Sequence, residues 1–188
     1  LLLWNQLPDS LATHWGINNE PNGYASKTFA VFGLPLIMLL GHAVSVIAMN
    51  IDPKVKNISE KVYFVILWII PLLSLFICNV LYGYNLGFQL DMGFLCGLMI
   101  GVFYLILGNF IPKVKPNYTI GFRISWALCD PENWYRTHRF GGKCMVIGGI
   151  IMIVTAPFQN MWILIAFILV PCILPVIYSY LYYRKIIS

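Results

Sequence analysis

The chain has 188 residues, of which 60% are hydrophobic and 10% are charged, and its net charge is +5. A soluble domain is roughly 45–50% apolar and about 25% charged, so the composition excludes a soluble enzyme domain, a disordered segment and a disulfide scaffold. An excess of Lys and Arg in a membrane protein reports orientation, so no direct nucleic-acid partner is expected. Because a spanning helix needs roughly 20 apolar residues, the chain is predicted to be a small polytopic helical membrane protein.

The N-terminal segment is predicted to lie outside the membrane. Residues 1–4, LLLW, are typical of the last turn of a hydrophobic helix with an interfacial Trp, which predicts a further span that precedes this chain. Residues 5–27 are polar and contain Pro21 and the dipeptide Asn22-Gly23. These residue types favour turns, so we expect an outer loop that forms a small cap.

Five apolar segments follow, which predicts an all-α membrane helix bundle. The expected spans are residues 28–50, 62–81, 92–111, 144–158 and 161–183. We expect three parts: the outer loop with the first complete span, the second and third spans, and a long polar loop with the last two spans. Their boundaries are 1–50, 51–111 and 112–188.

The positions of the cations predict the orientation. Residues 51–61, residues 112–143 and the C-terminal end carry every Lys and Arg except Lys27. The positive-inside rule places these segments in the cytoplasm and the loops at 5–27 and 82–91 outside.

Two features within the spans are compatible with either packing or function. Gly93, Gly97 and Gly101 repeat every four residues, which predicts close helix packing, either within the chain or at a homo-oligomer interface. His42 is the ionisable residue near the middle of a span. Such a residue is a functional candidate, although a neutral imidazole hydrogen-bonded between helices is favoured.

The outer loop contains two residue types that bind metals. His14 and Glu20 are both possible zinc ligands, but a structural zinc site needs four. A hydrogen-bonded loop core is therefore favoured, and no metal or cofactor is predicted. A membrane metalloenzyme that uses this loop remains an alternative.

The long polar loop is predicted to contain an amphipathic helix. Asp130-Pro131 is a strong helix start, with Asp as the N-cap and Pro at the first helical position. The helix places Trp134 and His138 on one face and cations on another, and Gly141-Gly142 permits a bend into the fourth span. We expect this helix to lie in contact with membrane lipids at the cytoplasmic interface or to form a docking site.

These two polar segments resemble the SdpI family of bacterial membrane proteins. The run LPDSLATHWGINNEPNGYASK, which leads into FGLPL, is similar to the family's N-terminal domain of unknown function. The long polar loop is similar to the family's C-terminal signature, which reads here GN-x-IPKVKPNYTIGFR-x2-W-x7-W-x3-HR-x-GGK. The signature is centred on Pro116, Asn117, Gly121, Arg123, Trp126, Trp134, His138 and Arg139.

The resemblance implies an immunity protein of the bacterial plasma membrane that protects against a secreted, SdpC-type toxin peptide. It also implies that a cytoplasmic repressor is recruited, as in the best-known member. We place toxin contacts at His14, Trp15, Glu20 and Lys27. We place repressor contacts at Asn117, Arg123, Trp126, Trp134, Arg136, His138, Arg139 and Lys143.

No catalytic residue is predicted, because motifs such as GxSxG, HExxH and the P-loop are absent from the sequence. We therefore expect a protein that is not an enzyme. A small exporter of peptides or amphiphiles is the main alternative from another functional class.

Overall fold

The structure, a computed structural model, describes residues 3–187 as long helices with one β-hairpin. The strands are β1 (Ser10–Trp15) and β2 (Pro21–Ser26). The helices are α1 (Leu34–Asn50), α2 (Glu60–Asn85), α3 (Met92–Phe110), α4 (Ser125–Cys129), α5 (Pro131–Thr155) and α6 (Met161–Ile187). A π-helical segment leads into α1, and four short 3-10 turns lie between the other elements. The all-α class is confirmed.

Five helical segments among the described residues are long and apolar enough to cross a membrane, as predicted. They are Phe29–Asn50, Glu60–Asn85, Met92–Lys113, Pro131–Phe158 and Met161–Ile187. Of the predicted N-terminal helix stub, Leu1 and Leu2 lie outside the described residues, and Trp4–Gln6 forms one 3-10 turn. The span that we expect before this stub stays a prediction.

The chain divides into two compact units. The hairpin unit comprises Leu1–Ile47 and Phe64–Gly93, and the signature unit comprises Ala48–Tyr63 and Phe94–Ser188. The core of the hairpin unit is built from Leu7, Leu11, Ala30 and Leu81. The core of the signature unit is built from Tyr104, Ile111, Met145 and Met152.

The outer loop is folded as an antiparallel hairpin rather than as a loop without strands. The dipeptide Asn22-Gly23, which we expected to form a turn, lies within β2. The turn falls earlier, where the Gly16 N–H donates to Glu20 O at 2.8 Å and Asn19 adopts a φ of 60°. Asn tolerates this left-handed conformation better than most residues, which explains why the chain reverses there.

The polar helix and the fourth span form one continuous helix, α5, so the predicted bend at Gly141-Gly142 is wrong. The helix start is as predicted, because the Asp130 side chain accepts from Glu132 N–H at 3.0 Å. The two glycines instead permit close packing. A Cβ atom at Gly142 would lie 2.6 Å from the carbonyl oxygen of Gly108, and one at Gly141 would collide with the ring of Phe122.

The glycine repeat of α3 packs within the chain. A Cβ atom at Gly101 would lie 2.9 Å from the Gly149 carbonyl oxygen on α5, and one at Gly97 would lie 3.1 Å from the Ala156 Cβ atom. The favoured prediction is therefore confirmed for these two glycines, because backbone atoms approach where a side chain would not fit.

Candidate functional site

Asn117 is the hydrogen-bonding centre of the signature loop, residues 114–124, and is fully buried. Its Nδ2 donates to the carbonyl oxygens of Lys115 and Ile120, at 2.8 and 3.2 Å. Its Oδ1 accepts from the N–H groups of Thr119 and Ile120, at 2.9 and 2.6 Å. The amide thus satisfies its full set of two donors and two acceptor positions. In this structure Asn117 is covered by its own loop, and its contact with a repressor stays a prediction.

Asp52 holds the signature loop against the segment that follows α1, and it is only 4% exposed. Its carboxylate accepts from the Tyr118 N–H at 2.9 Å and the Thr119 hydroxyl at 2.6 Å, and from the Lys54 N–H at 2.8 Å. Burial raises the pKa of the Asp52 carboxyl, but these hydrogen bonds outweigh it and hold the pKa below its usual range. The sequence does not reveal this role, because an Asp that precedes a Pro is also typical of the end of a helix.

Trp134 and His138 fasten the signature loop to α5, and both are fully buried. Trp134 Nε1 donates to the Val114 carbonyl oxygen at 2.8 Å. His138 Nε2 accepts from the Phe122 N–H at 3.0 Å, so Nδ1 carries the proton and donates to the Trp134 carbonyl oxygen at 2.8 Å. The two rings share one helix face, as predicted, and stack with centroids 4.0 Å apart. This face of α5 is covered by the chain itself rather than by lipid. Contact of these two residues with a repressor stays a prediction.

A second buried network joins α6 to α5. Ser179 Oγ donates to Asn133 Oδ1 at 2.7 Å and accepts from Trp126 Nε1 at 3.0 Å. Thr137 Oγ1 also donates to Asn133 Oδ1, at 2.9 Å. Asn133, Thr137 and Ser179 are fully buried. Trp126 is half-buried and belongs to this network. Sequence reasoning missed the network because the partners are far apart in the chain.

The cations of the signature region remain accessible. Arg123, Arg136, Arg139 and Lys143 are all exposed. Arg136 forms an ion pair with Glu132 at 2.6 Å, and Arg139 donates to the Tyr135 hydroxyl at 2.6 Å. Arg136, Arg139 and Lys143 therefore lie on α5 and Arg123 on the loop before α4, all exposed to an anionic partner.

In the hairpin unit, two asparagine side chains anchor the hairpin. Asn85 of α2 accepts from the Ala12 N–H at 2.8 Å and donates to the Ala12 carbonyl oxygen at 3.0 Å. Asn19 donates to the Leu90 carbonyl oxygen at 3.1 Å and accepts from the Met92 N–H at 2.8 Å. The hairpin is therefore held in place by hydrogen bonds to specific backbone groups as well as by its apolar core.

The four predicted toxin contacts differ in accessibility. His14 and Glu20 are exposed, and His14 Nδ1 is hydrogen-bonded to Asn22 Oδ1 at 2.5 Å. Lys27 is ion-paired with Asp9 at 3.2 Å, and Trp15 is half-buried with its ring edge-on to Tyr84. Glu20 and His14 are therefore the two with the most accessible side chains.

Within the described part of the chain, no group of three or more His, Cys, Asp or Glu residues is arranged to hold a metal ion. At His42, the buried Nδ1 atom has no hydrogen-bond partner in residues 3–187. The favoured prediction of an imidazole hydrogen-bonded between helices is therefore wrong for this nitrogen.

Helices of this length and apolarity, joined by folded polar segments, define a multi-pass membrane protein. Residues 113–179 match the SdpI/YfhL protein family, and residues 1–39 match a domain of unknown function (DUF1648). These two matches confirm the resemblance to the SdpI family that the sequence carries. The SdpI match begins at Lys113 and ends at Ser179, so it contains both buried polar networks apart from Asp52.

The chain is also similar to a curated bacterial protein over nearly its whole length. It is 27% identical over 194 aligned residues to the "Immunity protein SdpI" of Bacillus subtilis (strain 168). The alignment covers 99% of this chain and 89% of that protein. No solved structure matches the chain.

Proposed function

We propose that this chain is an immunity protein of the bacterial plasma membrane that protects its host against a secreted toxin peptide of the SdpC type. The observation that carries the proposal is the similarity to an immunity protein over 99% of the chain. On this account the protein binds the peptide and performs no catalysis.

The charge pattern supports an outer position for the hairpin. The described residues of the hairpin unit carry the acids Asp9, Glu20 and Asp91 and the single cation Lys27. Outer loops are poor in Lys and Arg. The loops at 51–61 and 112–143 hold most of the cations and are therefore cytoplasmic on this account.

The hairpin presents a surface suited to an amphiphilic peptide. Ile17 and Tyr24 are 69% and 61% exposed, and Phe88, in the segment that follows α2, is 65% exposed. The predicted contacts His14 and Glu20 add polar groups to the same folded segment. Contiguous exposed apolar patches mark interaction surfaces, and on this account these side chains contribute such a patch for the peptide.

Signalling through a cytoplasmic repressor is the second part of the proposal. The exposed cations Arg123, Arg136, Arg139 and Lys143 would attract an acidic surface of the repressor. The buried networks beneath them would fix the positions of α4, α5 and the signature loop. The repressor contact would then be a preformed surface rather than a flexible loop.

The direct test is survival. Toxin-sensitive cells that express the chain should survive the SdpC-type peptide at concentrations at least tenfold higher than cells that express an unrelated membrane protein at the same level. Equal sensitivity of the two strains would contradict the proposal. Peptide flux in proteoliposomes that contain the chain would favour the exporter instead.

A further inference from the structure

The two outer edges of the hairpin differ in whether a side chain is hydrogen-bonded to their backbone. On β1, the Ala12 N–H and carbonyl groups are both bonded to the Asn85 side chain. Both groups therefore point away from β2, although Ala12 is directly paired with Tyr24. In an antiparallel ladder such a pair is of the non-hydrogen-bonded type, so the backbone groups of its second member also point outward. The N–H and carbonyl groups of Tyr24 thus face the opposite edge of the hairpin.

The alternation along β2 supports this assignment. The neighbouring pair of Leu11 and Ala25 falls at a hydrogen-bonded position. Asp9 and Lys27, two positions from this pair, should again be hydrogen-bonded. The Lys27 N–H does donate to the Asp9 carbonyl oxygen, at 2.9 Å. On this side of Tyr24, away from the register shift at Ala12–His14, the alternation is regular, and it directs the Tyr24 backbone outward.

The outer edge of β2 is uncovered in residues 3–187. The Tyr24 side chain is 61% exposed, and no described side chain bonds to its backbone as Asn85 does to Ala12. An open strand edge is a template for pairing with another extended chain. One edge of this hairpin is blocked by a hydrogen-bonded side chain, and the other is not.

We infer that the outer edge of β2 binds an extended segment of the toxin peptide, which adds to the hairpin as a third strand. The inference rests on the proposed immunity function and specifies how the peptide is held. The Tyr24 N–H and carbonyl groups supply a pair of main-chain hydrogen bonds, as in other cases of strand addition. Because Asn85 and Asn19 already fix the hairpin, little ordering of the protein accompanies binding.

The surroundings define the chemistry of the segment. The hairpin unit has three acids against one cation, and that cation, Lys27, is already paired with Asp9. A segment with positive charge is therefore favoured. The exposed side chain of Tyr24 favours an apolar residue on the same face of the added strand.

Residue-resolved hydrogen exchange on the full chain in lipid nanodiscs tests the inference with the SdpC-type peptide as the probe. In the free protein, the Tyr24 amide should exchange quickly and the Ala25 amide, which faces β1, slowly. Saturating peptide should slow exchange at Tyr24 at least tenfold. A slow Tyr24 amide in the free protein, or one unchanged by bound peptide, would overturn the inference. If the wild-type chain binds no peptide, the proposed function fails and the inference fails with it.

A pair of variants separates the backbone from the side chain. Tyr24→Pro removes the outward N–H, which an edge strand tolerates because the ladder does not use it, whereas Tyr24→Ala keeps it. We expect Tyr24→Pro to weaken peptide binding at least tenfold more than Tyr24→Ala, with Ala25 still protected in both. Equal affinities would overturn strand addition. If Tyr24→Pro does not fold, the exchange of the wild-type Tyr24 amide decides the question.

Discussion

Gly121 leaves the space that His138 needs to accept a hydrogen bond from the backbone of the signature loop. Gly121 has a φ of 111°, and a Cβ atom there would collide with His138 Nε2, the atom that accepts from the Phe122 N–H. Both the backbone conformation and the close approach require glycine. This pair of residues explains why a glycine and a histidine 17 positions apart belong to one signature.

Gly121→Ala should therefore destabilise the protein strongly. A strained φ alone costs about 1–3 kcal/mol, and the collision with His138 adds to it, so we expect a loss of at least about 2 kcal/mol. Gly41→Ala is the matched control, because nothing lies within 4 Å of its added Cβ atom. The midpoints of thermal unfolding in detergent give the comparison, and similar midpoints for the two variants would contradict the assigned role of Gly121.

Asp52 predicts a dependence of stability on pH. Its pKa is lower in the folded protein than in the unfolded chain, so it stabilises the fold above the unfolded value, and this contribution is lost as the pH falls through the folded pKa. Asp52→Asn should cost about 1–3 kcal/mol at pH 7, since it weakens hydrogen bonds to a buried charge. The difference in unfolding midpoint between wild type and Asp52→Asn should shrink as the pH falls below about 4. A difference that stays constant across that range would argue against the charged network.

Trp134→Phe tests the attachment of the signature loop to α5. Loss of the Nε1 donor leaves the buried Val114 carbonyl without its partner, which costs about 1–3 kcal/mol. Hydrogen exchange in residues 113–123 should accelerate. Trp162→Phe provides the control, because Trp162 is 80% exposed. Unchanged exchange in the loop of Trp134→Phe would show that this hydrogen bond does not hold it.

The five spans and the helix start at Asp130 could be predicted from the sequence because they depend on local composition and capping. The hairpin could not be predicted, because the left-handed Asn19 and the Asn85 contact with Ala12 depend on tertiary structure. The burial of Trp134 and His138 also depends on tertiary structure, so the sequence could not show that these two rings face the chain's own loop. Their aromatic character indicates an interface equally well with lipid, with a partner or with the chain's own loop.

The exposed cations of α5 predict a selective defect in signalling. Each cation near an anionic surface contributes about 1 kcal/mol, so Arg136→Ala with Arg139→Ala should weaken repressor recruitment roughly tenfold or more. Expression and toxin survival should change less, because both side chains are exposed, and their described contacts lie on α5 and on Tyr178 and Tyr182 of α6. Lys56→Ala with Lys61→Ala serves as the control, because it also removes two positive charges, but from the loop at residues 51–61. Loss of survival with intact recruitment would contradict this division of roles.

The central claim, that the hairpin meets the toxin outside the cell, is tested most directly by thiol labelling of intact cells. All five native cysteines are free, so single-cysteine variants carry either Asn18→Cys or Cys129 alone, both at exposed positions. In intact cells, an impermeant maleimide should label the Asn18→Cys site and spare Cys129. In permeabilised cells, the same reagent should label both sites. Added SdpC-type peptide should slow labelling at Asn18→Cys. Labelling of Cys129 but not of Asn18→Cys in intact cells would contradict the account.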